Sequence, residues 1–347
     1  MLHTGYHMPA EWEQHQRTFL SWPEKDSLIW KENHAQTIRA YAQVACAIAA
    51  FEPMSVIVGQ DTEAEARALC GDAVSYARVA HNDAWVRDNG PTFVRDEAGR
   101  LAGVNWRFNA WGEKYMPCDL DDALAGRLLT MLGIPRIDVP IVLEGGSIHT
   151  DGEGTLLTTE QCLLNSNRNP SMTKEQIADV LKETLGVSEI VWLKSGIFGD
   201  ETDGHVDNVA CFAAPGTVCL QVCRDADDPN FSVSQQNLDV LRHTRDAHGR
   251  PLRVIEIEQP SAHFDHGERL ALSYINFYLV NGGLILPVFG GKAAGTDRMA
   301  AEALRAAFPG RRIVPVDGIP LIREGGNVHC ITQQMPEGTG KEIPCEP

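Results

Sequence analysis

The sequence predicts an α/β fold of five ββαβ units closed into a ring, in which the two chain ends pair with each other. Three observations indicate it. A six-residue pattern occurs twice, as EGGSIH at 144–149 and as EGGNVH at 324–329. Four segments read as strand, glycine-containing turn, strand. Each of these is followed by an amphipathic helix and then by a short apolar strand.

The N-terminal portion predicts an incomplete unit. A strand is expected at 17–22, a helix at 34–51 and a second strand at 54–59. This portion lacks one strand of a hairpin, and we expect 327–334 to supply it by pairing back onto the beginning of the chain. Closing the ring in this way hides strand edges that would otherwise invite association.

The four complete units follow in order, with glycine at the turns where a positive φ is needed. The hairpins are expected at 91–106, 147–159, 205–222 and 273–289. The helices have Leu, Ile, Val and Ala spaced by three and four residues, and are expected at 119–132, 172–185, 235–245 and 296–308. The closing strands are expected at 136–143, 189–194, 252–258 and 312–317. No linker divides the chain, so we expect one domain over 1–347.

Composition limits the classes of partner. The chain has 347 residues, 43% hydrophobic and 22% charged, which is typical of a globular protein whose core needs no disulfides. Its formal net charge of -17 argues against nucleic-acid binding, which requires a basic face. No apolar run is long enough to cross a bilayer, so no membrane partner is expected.

The cysteines predict a reducing compartment. Nine is an odd number, the spacing is irregular, and the N-terminus does not read as a signal peptide. We therefore expect free thiols and a cytoplasmic location. Cys219 and Cys223 alternate along a predicted strand, which indicates core residues and no metal site.

Four polar clusters lie at the starts of the predicted hairpins, where a ring would bring distant segments together. They occupy 83–91, 144–146, 200–208 and 325–330. Glycine beside polar residues suits a backbone that approaches a ligand closely. Each cluster alone is more typical of a solvated turn, but together they predict a central site.

The residue types in these clusters suit a guanidinium substrate. A guanidinium ion is planar and cationic, and carboxylates such as those of Asp88 and Asp207 match its N–H edges. Cys330 offers a thiolate nucleophile whose pKa a nearby imidazolium would lower. His205 is the candidate acid and base, and Glu144 is the candidate carboxylate that orients it.

His205 is distinguished by its neighbours. Asp203 and Asp207 lie two residues on either side, and on an extended strand all three side chains would share one face. His149 and His329 occupy equivalent positions of the repeated pattern, so structural roles are expected for both.

Longer motifs extend this pattern over nearly the whole chain, from MPAEW at 8–12 to HCITQQ at 329–334. Between them lie DAWVRDNGPTF, FNAWG, LEGGSIHTDGEGTLLTTEQCLLNSNRNP, TDGHVDN and SYINFY. With these motifs in this order, the sequence resembles the agmatine deiminase family, which is grouped with bacterial-type peptidylarginine deiminases. The resemblance implies a five-bladed pseudo-symmetric α/β propeller, no metal or organic cofactor, and a homodimer.

The resemblance also implies roles for individual residues. Cys330 would attack the guanidinium carbon, and His205, paired with Glu144, would protonate the departing ammonia and then activate water. Asp88 and Asp207 would hold the guanidinium nitrogens. Trp85 would line the aliphatic chain of the substrate. Glu201 or Asp203 would meet the distal amine.

The sequence departs from the family pattern at two places. Glu324 precedes the last Gly-Gly pair, where the family pattern favours glycine. The segment after FNAWG is short, and in the family this region shapes the substrate pocket. Both departures bear on the identity of the substrate rather than on the deiminase chemistry.

The alternatives left open are a deiminase of free or peptide-terminal arginine, an amidinotransferase, and a non-catalytic binder of small cations. An arginine substrate would require a group for its carboxylate, and Arg87, Arg168 and Arg323 are candidates. An amidinotransferase would have to protect its intermediate from water. A binder would need the carboxylates but would have no use for Cys330 together with His205.

Overall fold

A computed structural model describes residues 5–30 and 33–339 of the chain. Within it, five mixed sheets follow the predicted order of units, which confirms the α/β class. The predicted domain over 1–347 includes 1–4, 31–32 and 340–347, which lie outside the described residues.

Each sheet combines an antiparallel pair with a parallel strand, as the ββαβ pattern requires. Sheet 1 contains Gln333–Pro336, His15–Ser21, Met54–Val58 and Ser75–Arg78. Sheet 2 contains Tyr6–His7, Thr92–Asp96, Leu101–Arg107 and Arg136–Val142. Sheet 3 contains His149–Thr150, Thr155–Thr159 and Glu189–Leu193. Sheet 4 contains Ala210–Ala214, Thr217–Val222 and Arg253–Glu258. Sheet 5 contains Tyr278–Val280, Gly283–Val288 and Arg312–Asp317. A separate hairpin pairs Phe264–Asp265 with Glu268–Arg269.

Sheet 1 joins the two ends of the chain. Gln333–Pro336 runs antiparallel to His15–Ser21, with Gln333 opposite Phe19. The predicted pairing of the C-terminal segment with the beginning of the chain is confirmed, although the strand expected at 327–334 is found at Gln333–Pro336. The strand starts after Cys330, which therefore lies in the turn that leads into the sheet.

Helices connect the hairpins to the closing strands. The longer ones are His34–Ala49, Glu63–Cys70, Leu124–Leu132, Lys174–Leu185, Asn230–His243 and Ala294–Ala307. Short helices lie at Val86–Asn89, Ala110–Glu113, Asp119–Asp122, Glu160–Leu163 and Ile319–Ile322. Single 3₁₀ turns lie at Gly71–Ala73, Gly145–Ser147, Val206–Asn208 and Gly291–Ala293. The helix predicted at 119–132 is divided at Ala123.

The helix Lys174–Leu185 shows how local sequence sets such an element. Thr173 accepts a hydrogen bond from the backbone of Gln176, whose side chain bonds back, and this capping box starts the helix. Gly186 ends it in the left-handed conformation, with φ 64°. Its buried face includes Leu181 and packs over sheets 2 and 3.

One local expectation was wrong. Residues 203–207 do not form a strand, because Asp203 and Gly204 have positive φ values of 64° and 92° and a 3₁₀ turn follows at Val206–Asn208. The strand begins at Ala210. Asp203, His205 and Asp207 therefore do not share a strand face.

The described cysteines are all free, and Cys219 and Cys223 are buried. Among the described residues, no helix combines the length and the apolar character that crossing a membrane would require.

Candidate active site

A cleft reaches from the surface to the predicted catalytic cysteine. Cys330 and Asp88 are its most deeply buried polar residues. Its remaining lining residues are Ile29, Trp85, Trp111, Tyr115, Glu201, Thr202, Glu324, Gly325 and Gly326. The cleft therefore has a carboxylate at its inner end, aromatic side chains along its walls, and two further carboxylates.

Cys330 is held among polar side chains although it is only 2% exposed. Its Sγ lies 3.5 Å from Oδ2 of Asp207 and accepts a hydrogen bond from the Asn276 amide at 3.2 Å. Burial raises the pKa of the thiol well above its ordinary value, and the charges of Asp207 and Asp88 raise it further. The thiol is consequently neutral until a positive charge enters the cleft.

Asp88 lies on the short helix Val86–Asn89. Its Oδ1 accepts the backbone N–H of Gly146 and its Oδ2 accepts the indole N–H of Trp111, both at 2.9 Å. Burial raises its pKa to about 6 in spite of the opposing charge of His205. These two bonds fix the carboxylate plane at the base of the cleft.

Asp207 is oriented by a chain of buried charges. His329 donates through Nδ1 to Oδ2 of Asp207 and through Nε2 to Oε2 of Glu11, both at 2.9 Å. Burial and Arg87 lower the pKa of His329, but the two carboxylates outweigh them and raise it. Burial alone would raise the pKa of Asp207, but its hydrogen bond with His329 lowers it. The imidazolium thus holds Asp207 ionised beside Cys330.

His205 is completely buried between carboxylates. Its Nδ1 lies 3.7 Å from Oδ1 of Asp88, and its Nε2 lies 3.9 Å from Oε2 of Glu144. Burial lowers its pKa, but Asp88 and the contacts with Cys162 and Glu144 raise it well above its ordinary value. Neither ring nitrogen has a close hydrogen-bond partner among the described residues. Nδ1 faces Gly146 and Asp88, whereas Nε2 faces Glu144 on the other side of the ring.

Glu144 is anchored from the side away from the cleft. Its Oε1 accepts a hydrogen bond from Nε of Arg168 at 2.7 Å, and both side chains are buried. Although burial raises its pKa, the contacts with His205 and Arg168 lower it. Glu144 therefore stays ionised and can stabilise a charged His205.

Gly146 marks the point where the polar groups converge. A Cβ atom added there would lie 2.7 Å from Nδ1 of His205, 2.8 Å from Oδ1 of Asp88 and 2.9 Å from Oδ2 of Asp207. These contacts are too short for any side chain, so only glycine lets two carboxylates and an imidazole converge at this point. Two carboxylates placed in this way can accept the N–H groups of a guanidinium ion.

Among the described residues, one cluster of side chains has the spacing of metal ligands. Glu144, Cys162 and His205 offer ligand atoms within 4.8 Å of one another. One oxygen of Glu144 is already bonded to Arg168, and burial raises the pKa of the Cys162 thiol. The expectation that the protein needs no metal stays a prediction.

The predicted substrate-binding residues occupy different environments. Trp85 lines the cleft, and its ring lies so close to Gly326 that a side chain there would collide with it. Glu201 lines the cleft and accepts a hydrogen bond from the Tyr115 hydroxyl at 2.6 Å. Asp203 does not line the cleft and is ion-paired with Lys114 at 2.9 Å and Arg168 at 2.6 Å.

Several site residues were missed from sequence. Trp111 bonds Asp88, and its φ of 54° places it in a left-handed segment of the kind that collects at functional sites. Asn276, Glu11 and Arg168 bond Cys330, His329 and Glu144. Arg168 was considered from sequence only as a partner for a substrate carboxylate, whereas the other three had no predicted role. All four lie inside the recognised motifs, in FNAWG, SYINFY, MPAEW and NRNP. The motifs were therefore the available signal, but they did not reveal what each side chain contacts.

Known proteins are similar to this chain in sequence and in fold over most of its length. The model of the Porphyromonas-type peptidyl-arginine deiminase family matches residues 7–336. The agmatine deiminase of Stutzerimonas stutzeri is 46% identical, with 96% of each chain covered. A structure of Enterococcus faecalis agmatine deiminase has a TM-score of 0.91 and 37% identity, with 96% of each chain covered. A cysteine-to-serine variant of C. jejuni agmatine deiminase, with substrate bound, has a TM-score of 0.89 and 30% identity, and covers 97% of this chain and 99% of its own.

Proposed function

The chain belongs to the Porphyromonas-type peptidyl-arginine deiminase family, and we propose that within it the chain is an agmatine deiminase. As a hydrolase acting on the C–N bonds of a linear amidine, it converts agmatine and water to N-carbamoylputrescine and ammonia. The observation that carries this proposal is the convergence of Asp88, Asp207 and His205 at Gly146, with Asp207 also in contact with the Cys330 thiol.

Substrate binding prepares the nucleophile. The guanidinium group binds between Asp88 and Asp207, and its positive charge offsets the carboxylates that raise the pKa of the Cys330 thiol. The thiol then releases its proton to solvent more readily, and the Asn276 amide stabilises the thiolate. The aliphatic chain of agmatine lies along Trp85 and the other aromatic walls.

The reaction proceeds in two displacements. The sulfur of Cys330 bonds to the guanidinium carbon, and the tetrahedral intermediate expels ammonia with a proton from Nδ1 of His205. The neutral imidazole then takes a proton from water, whose oxygen attacks the carbon of the S-alkylthiouronium intermediate. The C–S bond breaks and the hydroxyl proton passes to the departing sulfur, which regenerates the Cys330 thiol and releases N-carbamoylputrescine. Glu144 stabilises the charged form of His205 in both steps.

An arginine substrate is the second candidate, but the cleft offers little to its carboxylate. Among the described residues that line the cleft, none is basic. Arg168 is paired with Glu144 and Asp203, and Arg323 with Asp265 at 3.1 Å. Arg87 is buried behind Cys330, where its Nε bonds the backbone of His329. These positions favour a substrate that ends in an amine.

The test of the function is ammonia release from agmatine, free arginine and a peptide with a terminal arginine. We expect turnover of agmatine, with N-carbamoylputrescine as product, and kcat/KM at least about 100-fold lower for both arginine compounds. Turnover of an arginine compound alone would move the proposal to the second candidate. If none of the three compounds releases ammonia, both candidate functions are rejected.

Gly146→Ala is expected to lower kcat/KM for agmatine by at least about 100-fold. The added methyl group would displace the three polar atoms that converge at Gly146, two of which belong to the carboxylates proposed to bind the guanidinium group. Gly295→Ala is the matched control, since a Cβ atom there meets nothing within 4 Å. Steady-state ammonia release measures both variants. A loss smaller than tenfold in Gly146→Ala would place the guanidinium elsewhere.

We also propose that the five sheets form the blades of a closed propeller, and that 1–347 is one domain. The pairing of Gln333–Pro336 with His15–Ser21 supports closure, because it joins the last unit to the first. We propose further that the protein acts in the cytoplasm as a homodimer. Its free cysteines suit a reducing compartment.

A further inference from the structure

The outer part of the cleft contains two carboxylates that the deiminase chemistry does not use. Glu201 and Glu324 both line the cleft, away from the pair formed by Asp88 and Asp207. Glu201 is exposed, whereas Glu324 is only 8% exposed. A carboxylate as buried as that of Glu324 is costly without a positively charged partner, and a bound cation would offset that cost.

Glu324 lacks the partners that a buried carboxylate needs. Its Oε1 is buried without a hydrogen-bond partner among the described residues, although the Asn33 side chain bonds the carboxyl group. Neither Glu324 nor Glu201 forms an ion pair with a described Lys, Arg or His. A buried acceptor left unpaired costs free energy, which a bound donor would recover.

Glu201 lies beside the backbone of the residue that follows Glu324. Oε2 of Glu201 lies 3.6 Å from the position that a Cβ atom would take on Gly325, the residue that follows Glu324. Gly325 has a φ of 99°, a conformation that other residues avoid. The Tyr115 hydroxyl donates to the same oxygen of Glu201 and holds it at this place.

Nearby basic side chains are already engaged. Lys114 pairs with Asp203 at 2.9 Å and donates to the backbone oxygen of Glu201, and Arg323 pairs with Asp265. Neither Glu201 nor Glu324 therefore has a cationic partner among the described residues. An ammonium group with three donors is suited to such a pair.

We infer that Glu324 is a specificity-determining residue, whose unpartnered oxygen joins Glu201 in a two-carboxylate subsite for a protonated amine at the far end of the substrate chain. The substrate class is a guanidinoalkyl amine without a carboxylate, because a carboxylate beside this amine would be repelled by both glutamates. This inference rests on the proposed deiminase function.

The experiment compares Glu324→Gln with the wild-type enzyme on agmatine and on 1-butylguanidine, which has the same chain without the amine. The wild-type enzyme is expected to prefer agmatine. In Glu324→Gln the ratio of kcat/KM for agmatine to kcat/KM for butylguanidine falls about tenfold, and the change lies mainly in KM for agmatine. Glu324→Asp retains the charge and recovers part of the ratio.

Two controls separate the possible failures. Glu302→Gln removes the same charge from an exposed helix position remote from the cleft and leaves the ratio as in the wild type. An unchanged ratio in Glu324→Gln, or an equal loss for both substrates, would overturn the subsite while the deiminase function stands. A wild-type enzyme that releases no ammonia from agmatine would instead reject the proposed function.

Discussion

Cys330→Ala is expected to lower kcat for agmatine by at least roughly 10⁴-fold, because no other group can form the covalent bond to the guanidinium carbon. The described structure places Sγ of Cys330 between Asp207 and Asn276 at the base of the cleft. Nearby Cys162 is not a substitute, since it lies behind His205 beside Glu144 and does not line the cleft.

Binding should survive this substitution. Asp88 and Asp207 remain in place, so agmatine is expected to raise the melting temperature of Cys330→Ala as it does for the wild type. Mass spectrometry should detect no covalent adduct in the variant. Cys46→Ala is the matched control, because Cys46 is exposed on the helix His34–Ala49. Retention of turnover in Cys330→Ala would rule out the covalent mechanism.

His205→Gln is expected to lower kcat by about 10²- to 10⁴-fold, the range typical of a lost acid and base group. Nδ1 of the buried His205 imidazolium faces Gly146 and Asp88, a carboxylate proposed to bind the guanidinium group. Without it, ammonia must leave without a proton donor and water must attack without a base. His243→Gln is the control, because His243 is exposed at the end of the helix Asn230–His243 and does not line the cleft.

The pH dependence provides an independent readout of His205→Gln. In the wild type Asp88 has a pKa of about 6, which the positive charge of His205 holds down against burial. Neutral Gln removes that charge, so the pKa of Asp88 rises. Because protonated Asp88 cannot accept the guanidinium N–H groups, the acid limb of kcat/KM moves to higher pH. Equal losses in the two histidine variants, or an unmoved acid limb, would contradict the assignment.

The repeated units were predictable because each depends on local signals. Hairpin turns need glycine, and helices need a three- and four-residue apolar spacing, so the segments 91–106 and 172–185 could be read directly. The extra strands Ser75–Arg78 and Tyr6–His7 were not predicted, since each is short and polar and is specified by the edge with which it pairs. The segment 203–207 was misread because its positive φ values cannot be inferred from alternation alone.

The sequence by itself determined the α/β class, the joining of the chain ends and the residue types of a guanidinium-directed thiol site. Only the tertiary structure decided the role of each charge. It pairs Asp203 with Lys114 and Arg168, leaves Oε1 of Glu324 without a hydrogen-bond partner in the cleft, and places His329 between Asp207 and Glu11. The physical reason is distance along the chain. The ionisation of a buried carboxylate depends on groups within a few ångströms, and here the partners His329 and Glu11 are separated by 318 positions in sequence.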